Sequence, residues 1–185
     1  MTFDRRQFLT GGGLGLLAFQ IAGAAVLLSP RAARAEGVPF RVLAPDEVAL
    51  VDALGEALLP GAATAGLAHY LDQQLAADPV DSLLMIRYLD VPPPYIAFYR
   101  PCLAAVATAA RALHGKPFTE LEPAVRGAFI GQIQKSSPDG WQGPPAPFFY
   151  FVLRSDAVDV VYGTPEGFAK LGIPYMQHIM PPTPW

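Results

Sequence analysis

The chain has 185 residues and carries 13 Lys and Arg against 16 Asp and Glu, a formal net charge of −3, with 52% hydrophobic residues. That balance contains no basic footprint for nucleic acid. A single cysteine, Cys102, excludes an internal disulfide and any C-x-x-C-H haem attachment.

The first element in the chain is a leader. Arg5 and Arg6 precede a run from Gly11 to Ser29 that holds no charged residue, and Ala33-Arg34-Ala35 comes after it. A stretch of about 18 apolar residues is long enough to span a bilayer as a helix. Gly11, Gly12, Gly13, Gly15 and Gly23 weaken that helix and lower its hydrophobicity. The small residues of the A-x-A pattern fit a signal-peptidase pocket, which predicts cleavage before Glu36. The leader resembles a twin-arginine export signal in Arg5, Arg6, Phe8 and Leu9, and that route carries cargo already folded. Residues 1–35 are therefore expected to be a signal, and 36–185 one helical domain. A retained membrane anchor is the alternative reading of the same run.

Pro45, Asp46 and Glu47 open the next element, proline suiting a first helical turn and the acids its positive end. Val48, Val51, Leu54 and Leu58 recur at helical spacing until Pro60-Gly61 stops them. From Gly66 to Ala77 the same logic places Leu67, Leu71 and Leu75 inward and Asp72, Gln73 and Gln74 outward. A short third helix is expected over Val80 to Leu89. Pro92 to Pro94 predict a stiff extended connector.

Tyr95 to Leu113 reads as a long alanine-rich helix with Tyr99, Cys102, Val106, Ala109 and Leu113 on one face and a kink at Pro101. Thr119-Glu120-Leu121-Glu122 has the form of a capping box. The helix after it is expected to bury Val125, Phe129 and Ile133 and to offer Gly127 and Gly131 as a close-contact face. A loop rich in Ser, Pro and Gly follows over residues 136–147. The aromatic and β-branched stretch FFYFVLRSDAVDVVYG suits a strand by composition, but its length and lack of alternation predict a helix. Asp156 and Asp159 are expected on its solvated or salt-bridged face. Thr164 and Pro165 start one more short helix that Gly172 ends. The remaining residues hold four prolines beyond Gly172 and predict an extended tail. The fold class expected is all-α, a small irregular domain of about six helices with that proline-rich tail.

Chemistry-bearing motifs are scarce. The sequence contains no G-x-G-x-x-G, P-loop, H-E-x-x-H or G-x-S-x-G pattern. His69, His114 and His178 are far apart and lack companions at ligand spacing. Met176 and Met180 flank His178, a set that points more to groove filling than to a soft-metal site. Catalytic, cofactor-binding and metal-binding residues are therefore all expected to be absent from this chain.

The ending DAVDVVYGTPEGFAKLGIPYMQHIMPPTPW, with Val161-Tyr162-Gly163-Thr164, Leu171-Gly172, Pro174-Tyr175, His178-Ile179 and Trp185, resembles the small subunit, subunit 3, of gluconate 2-dehydrogenase-like membrane-associated flavin dehydrogenases. The resemblance implies a non-catalytic partner of a large FAD-binding subunit that oxidises a sugar or alcohol hydroxyl. It also implies a multihaem cytochrome c as a third subunit, and export of the large subunit bound to the small one. Location in the periplasm or on the outer face of the cytoplasmic membrane follows, with membrane association only through the complex. Tyr162, Tyr175, His178, Ile179 and Trp185 are the residues expected at the partner interface, because Tyr and Trp dominate binding energy at such surfaces. Two other classes compete with this reading. One is a stand-alone periplasmic enzyme using His178, Asp156 and Asp159 as acid and base. The other is a small binding module anchored by an uncleaved leader.

Overall fold

The computed structural model describes residues 16–21 and 23–174. The expected export residues Arg5, Arg6, Phe8 and Leu9 and the tail residues Tyr175, His178, Ile179 and Trp185 lie outside them.

Eight α-helices and one hairpin make up the described residues. The hairpin joins β1 (Leu17–Ile21) to β2 (Ala24–Leu28), antiparallel, with Leu17 opposite Leu28 and Phe19 opposite Val26. Helical periodicity is invisible in so uniformly apolar a run, and Gly23 supplies the left-handed φ of +82° at its turn. The helices follow as α1 (Pro30–Ala35), α2 (Pro45–Leu58), α3 (Ala62–Ala65), α4 (Leu67–Ala76), α5 (Ile96–His114), α6 (Pro123–Ile133), α7 (Ala146–Tyr162) and α8 (Pro165–Lys170). Short 3₁₀ turns cover Met85–Leu89 and Phe118–Glu120.

Helices α2 and α7 form the centre: between them they pack on α3, α4, α5, α6 and α8, and Arg34 of α1 pairs with Asp52 of α2. Helix α7 explains why a β-branched, aromatic sequence folds this way. Ala146, Phe149, Val152, Leu153, Asp156, Ala157, Val160 and Val161 are all buried, a spacing of three and four that only a helix can turn to one side. Phe149 and Leu153 meet Val51 and Leu54 of α2, Tyr99, Cys102 and Val106 of α5, and Phe129 and Ile133 of α6 in one core. Phe98 stands edge-on to Phe148 at 5.4 Å, and Phe118 to Phe129 at 5.4 Å, the arrangement aromatic quadrupoles favour. Helix α5, 19 residues long, is apolar enough to cross a membrane by length and composition. Its apolar side is spent instead on this core, and Pro101 lies within it without ending it.

Several expectations are corrected. Asp72 and Gln74 point inward. The Asp72 carboxylate accepts three backbone N–H groups, from Arg41 at 2.9 Å and from Val42 and Leu43 at 2.8 Å, so it fastens the segment leading into α2. Gln74 accepts the Leu83 N–H at 2.6 Å and Tyr70 donates its hydroxyl to the Leu83 carbonyl at 3.1 Å. These bonds hold residues 78–84 against α4 as turns, so the expected third helix shrinks to the 3₁₀ segment. Thr119 does not cap α6, because Pro123 starts that helix later and leaves Glu122 at its N-cap without a side-chain bond. Gly127 and Gly131 have nothing near enough to touch a Cβ, and Leu113 is exposed.

Substitution Asp72→Ala removes the acceptor of three N–H groups at once, that of Leu43 buried, with an expected loss of roughly 3 kcal/mol from charge-assisted bonds. Urea unfolding followed by circular dichroism should show the midpoint falling with the slope unchanged.

Candidate functional site: an apolar groove and a closed interior

The resemblance motif Val161-Tyr162-Gly163-Thr164 forms the corner between α7 and α8. A Cβ on Gly163 would run into the Asp159 carbonyl, and one on Gly167 into the Val161 carbonyl and the backbone of Tyr162. The two glycines thus let α8 fold back tightly on the end of α7. Thr164 then caps α8 by accepting the Gly167 N–H at 3.0 Å.

Beside this corner opens a groove of about 380 Å³. Its floor combines Tyr70 of α4 with Val160, Gly163 and Thr164, its walls Leu17 and Pro30, and its rim Leu83, Tyr88 and Asp159. A second hollow of about 330 Å³ shares Pro30, Val160 and Thr164 with it and runs on to Pro165 and Glu166 of α8. The surface around the rim is unusually apolar for solvent: Tyr88 is 63% exposed, Leu83 48% and the nearby Val80 68%. Beyond α8, Leu171 and Ile173 are also exposed. Arg87 lies over the Tyr88 ring at 5.5 Å, which supports the ring in an outward pose. Exposed apolar side chains around a groove are a mark of association or ligand binding.

The interior carboxyl expected on a solvated face is closed off. Asp156 is fully buried; its Oδ2 accepts the Tyr99 hydroxyl at 2.5 Å and its Oδ1 the Met85 N–H at 2.9 Å. Burial, aided by the charge of Asp159, outweighs those two bonds and raises the carboxyl to about 7. Burial also drives the Tyr99 hydroxyl far above the usual tyrosine range. With both oxygens occupied and no surface exposed, Asp156 cannot reach a substrate, and it acts as a pin joining α7, α5 and the 3₁₀ turn. Asp159 is exposed at the groove rim, in a lining it shares with Tyr70 and Tyr88, and partial burial raises its carboxyl above the usual range.

Cys102 is fully buried and burial pushes its thiol up to about 12, which makes it inert. His69 is buried against the Val38 carbonyl at 3.1 Å and packs on Phe40 with ring centroids 4.3 Å apart and the rings tilted by 45°. Among the described residues no three His, Cys, Asp or Glu side chains converge as metal ligands. Of the expected interface residues, the structure places Tyr162 half-buried at the end of α7, packed on the core. Ala33 is buried in α1, while Ala35 and Glu36 are exposed at its end. Sequence reasoning missed Leu83 and Tyr88 because it assigned them to a short helix over Val80 to Leu89; their apolar character beside Pro79 and Asp81 was the available signal.

A profile of the family described as gluconate 2-dehydrogenase subunit 3 matches residues 45–180. The chain belongs to that family. The match covers α2 to α8, so it includes the α7–α8 corner, Asp156 and the Tyr88 rim of the groove, while the hairpin and α1 precede it. No curated protein and no solved structure matches the chain. Membership makes this chain, by its family's description, a subunit type of a dehydrogenase complex.

The raised Asp156 carboxyl has a testable sign. Its proton is bound in the folded state up to about pH 7 but released in the unfolded state near pH 4, so its contribution to stability is complete below pH 4 and is lost as pH rises to about 7. Asp156→Asn keeps the acceptor for Met85 and removes the titration. Thermal unfolding at steps from pH 4 to 8 should show the variant gaining on the wild type as pH rises, with the difference flat above about 7.

Proposed function

We propose that this chain is the non-catalytic small subunit of a complex whose large subunit binds FAD and oxidises a sugar or alcohol hydroxyl. The family match over residues 45–180 carries the reading. Two properties of the fold support it. The apolar groove with Tyr88, Leu83 and Val80 at its rim is a surface that favours a protein partner, since aromatic side chains in concave apolar settings supply most binding energy. Three titratable groups of the interior, Asp156, Tyr99 and Cys102, are sealed in structural roles.

FAD belongs to the large subunit and c-type haem to a cytochrome subunit that takes the electrons; this chain holds neither. The tail residues Tyr175, His178, Ile179 and Trp185 extend the docking surface beyond α8. Proline between the anchors reduces the freedom lost on docking, so more of the contact energy appears as affinity. The leader, with Arg5 and Arg6, exports the small subunit together with the folded large one, to the periplasm or the outer face of the cytoplasmic membrane.

The test is gentle purification of a tagged full chain from its own host. A yellow protein of larger mass with the absorbance of flavin should accompany it; its absence under native expression overturns the assignment. The double variant Leu83→Ala, Tyr88→Ala should lower the recovered flavin by about tenfold or more, the effect of losing ~1.4 kcal/mol or more at an aromatic anchor. Replacing Arg5 and Arg6 by Lys should leave both proteins inside the cell.

A further inference from the structure

Helix α1 and the hairpin before it are built into the domain they are expected to leave. Pro30 and Ala33 are buried, Ala33 completely, where α1 packs on α3 and α4. Ser29 caps α1 by accepting the Ala32 N–H at 3.1 Å, the Ala33 carbonyl accepts the Val38 N–H at 3.0 Å, and Arg34 pairs with Asp52 of α2 at 2.6 Å. On the hairpin, the Ala18 carbonyl accepts from the Gln73 side chain of α4 at 3.3 Å.

The most telling fit lies inside the domain. Gly66, between α3 and α4, has a φ of +90°, and a Cβ there would collide with the carbonyl of Pro30. A residue of the domain proper is thus shaped to receive a residue of the leader.

We propose that the hairpin and α1 remain part of the exported protein and that the Ala35–Glu36 bond is not cut. A signal peptidase takes its substrate extended, with the small side chains at the first and third positions before the cut seated in its pockets. Here those side chains are Ala35, in the last turn of α1, and Ala33, facing the core. Both become available only if α1 unwinds and leaves α3 and α4, exposing the Pro30 and Ala33 sites at once. The inference rests on export in the folded state, since an unfolded chain presents the same bond before α1 can dock.

Intact-mass measurement on the exported wild-type protein decides it. The expected mass retains residues 17–35; an N-terminus at Glu36 overturns the proposal. The double Arg5→Lys, Arg6→Lys variant tests the export route separately, so a normal export of that variant points to the route and a Glu36 terminus to the docking. Trypsin digestion of the purified full chain gives a second readout. Wild type should resist cutting after Arg31 and Arg34, while Gly66→Ala should be cut there about tenfold faster, because cleavage tracks the population of the undocked helix. Equal rates in the two proteins also overturn the proposal.

Discussion

The buried Asp156 carboxyl is the constraint around which the helices are arranged. It lies two-thirds of the way along α7, and its two oxygens reach Tyr99 on α5 and the backbone of Met85 at the start of a 3₁₀ turn. A carboxyl in an apolar core is costly unless its hydrogen bonds are made, and removing one partner exposes the full cost. This makes the relative placement of three segments specific in a way that interchangeable apolar contacts do not. The segment so fixed carries Tyr88, and the groove beside it opens between that segment and the end of α7. Asp72 plays the matching part at the other side of the domain, where it collects the three N–H groups of residues 41–43. Arg100 adds an outer tie, reaching Glu47 at 2.6 Å and the Val42 carbonyl at 3.0 Å. The pairing with Arg100 holds the Glu47 carboxyl below its usual range.

Most of the helical framework was legible in the sequence. Helix α2 occupies the span set by Pro45 and by Pro60-Gly61, and α8 starts at the Thr164 cap and ends before Gly172, because caps and breakers act locally. The polar interior was not legible. Asp72, Gln74 and Asp156 carry no local mark of burial; their partners come from 30, 9 and 71 residues away in the chain. A pattern that assigns acids to the solvent side fails at such positions, since the bonds that make burial tolerable are tertiary. The capping box at Thr119 failed for a related reason: Pro123 is the stronger start signal and displaced it. The hairpin was hidden by composition, as an unbroken apolar run has no period to read.

The same division holds for the site. The α7–α8 corner was visible through its Gly163-Thr164 turn and the family resemblance, and the profile match confirms the family. The rim formed by Leu83 and Tyr88 was not, because those residues belong to turns held in place by Gln74 and Tyr70 and not by their own periodicity. What results is a groove with exposed apolar side chains at the α7–α8 corner. Beneath it the buried Asp156, Tyr99 and Cys102 are chemically silent, each closed to solvent.

Cys102 illustrates that silence from a practical side. As the one thiol of the sequence, buried and held protonated, it presents almost no background to maleimide or methanethiosulfonate reagents under native conditions. A cysteine introduced at the groove would therefore carry a dye or spin label alone, and the native residue need not be removed. The chain is in this sense already a single-site labelling scaffold, and distances from it could be read by energy transfer or electron resonance.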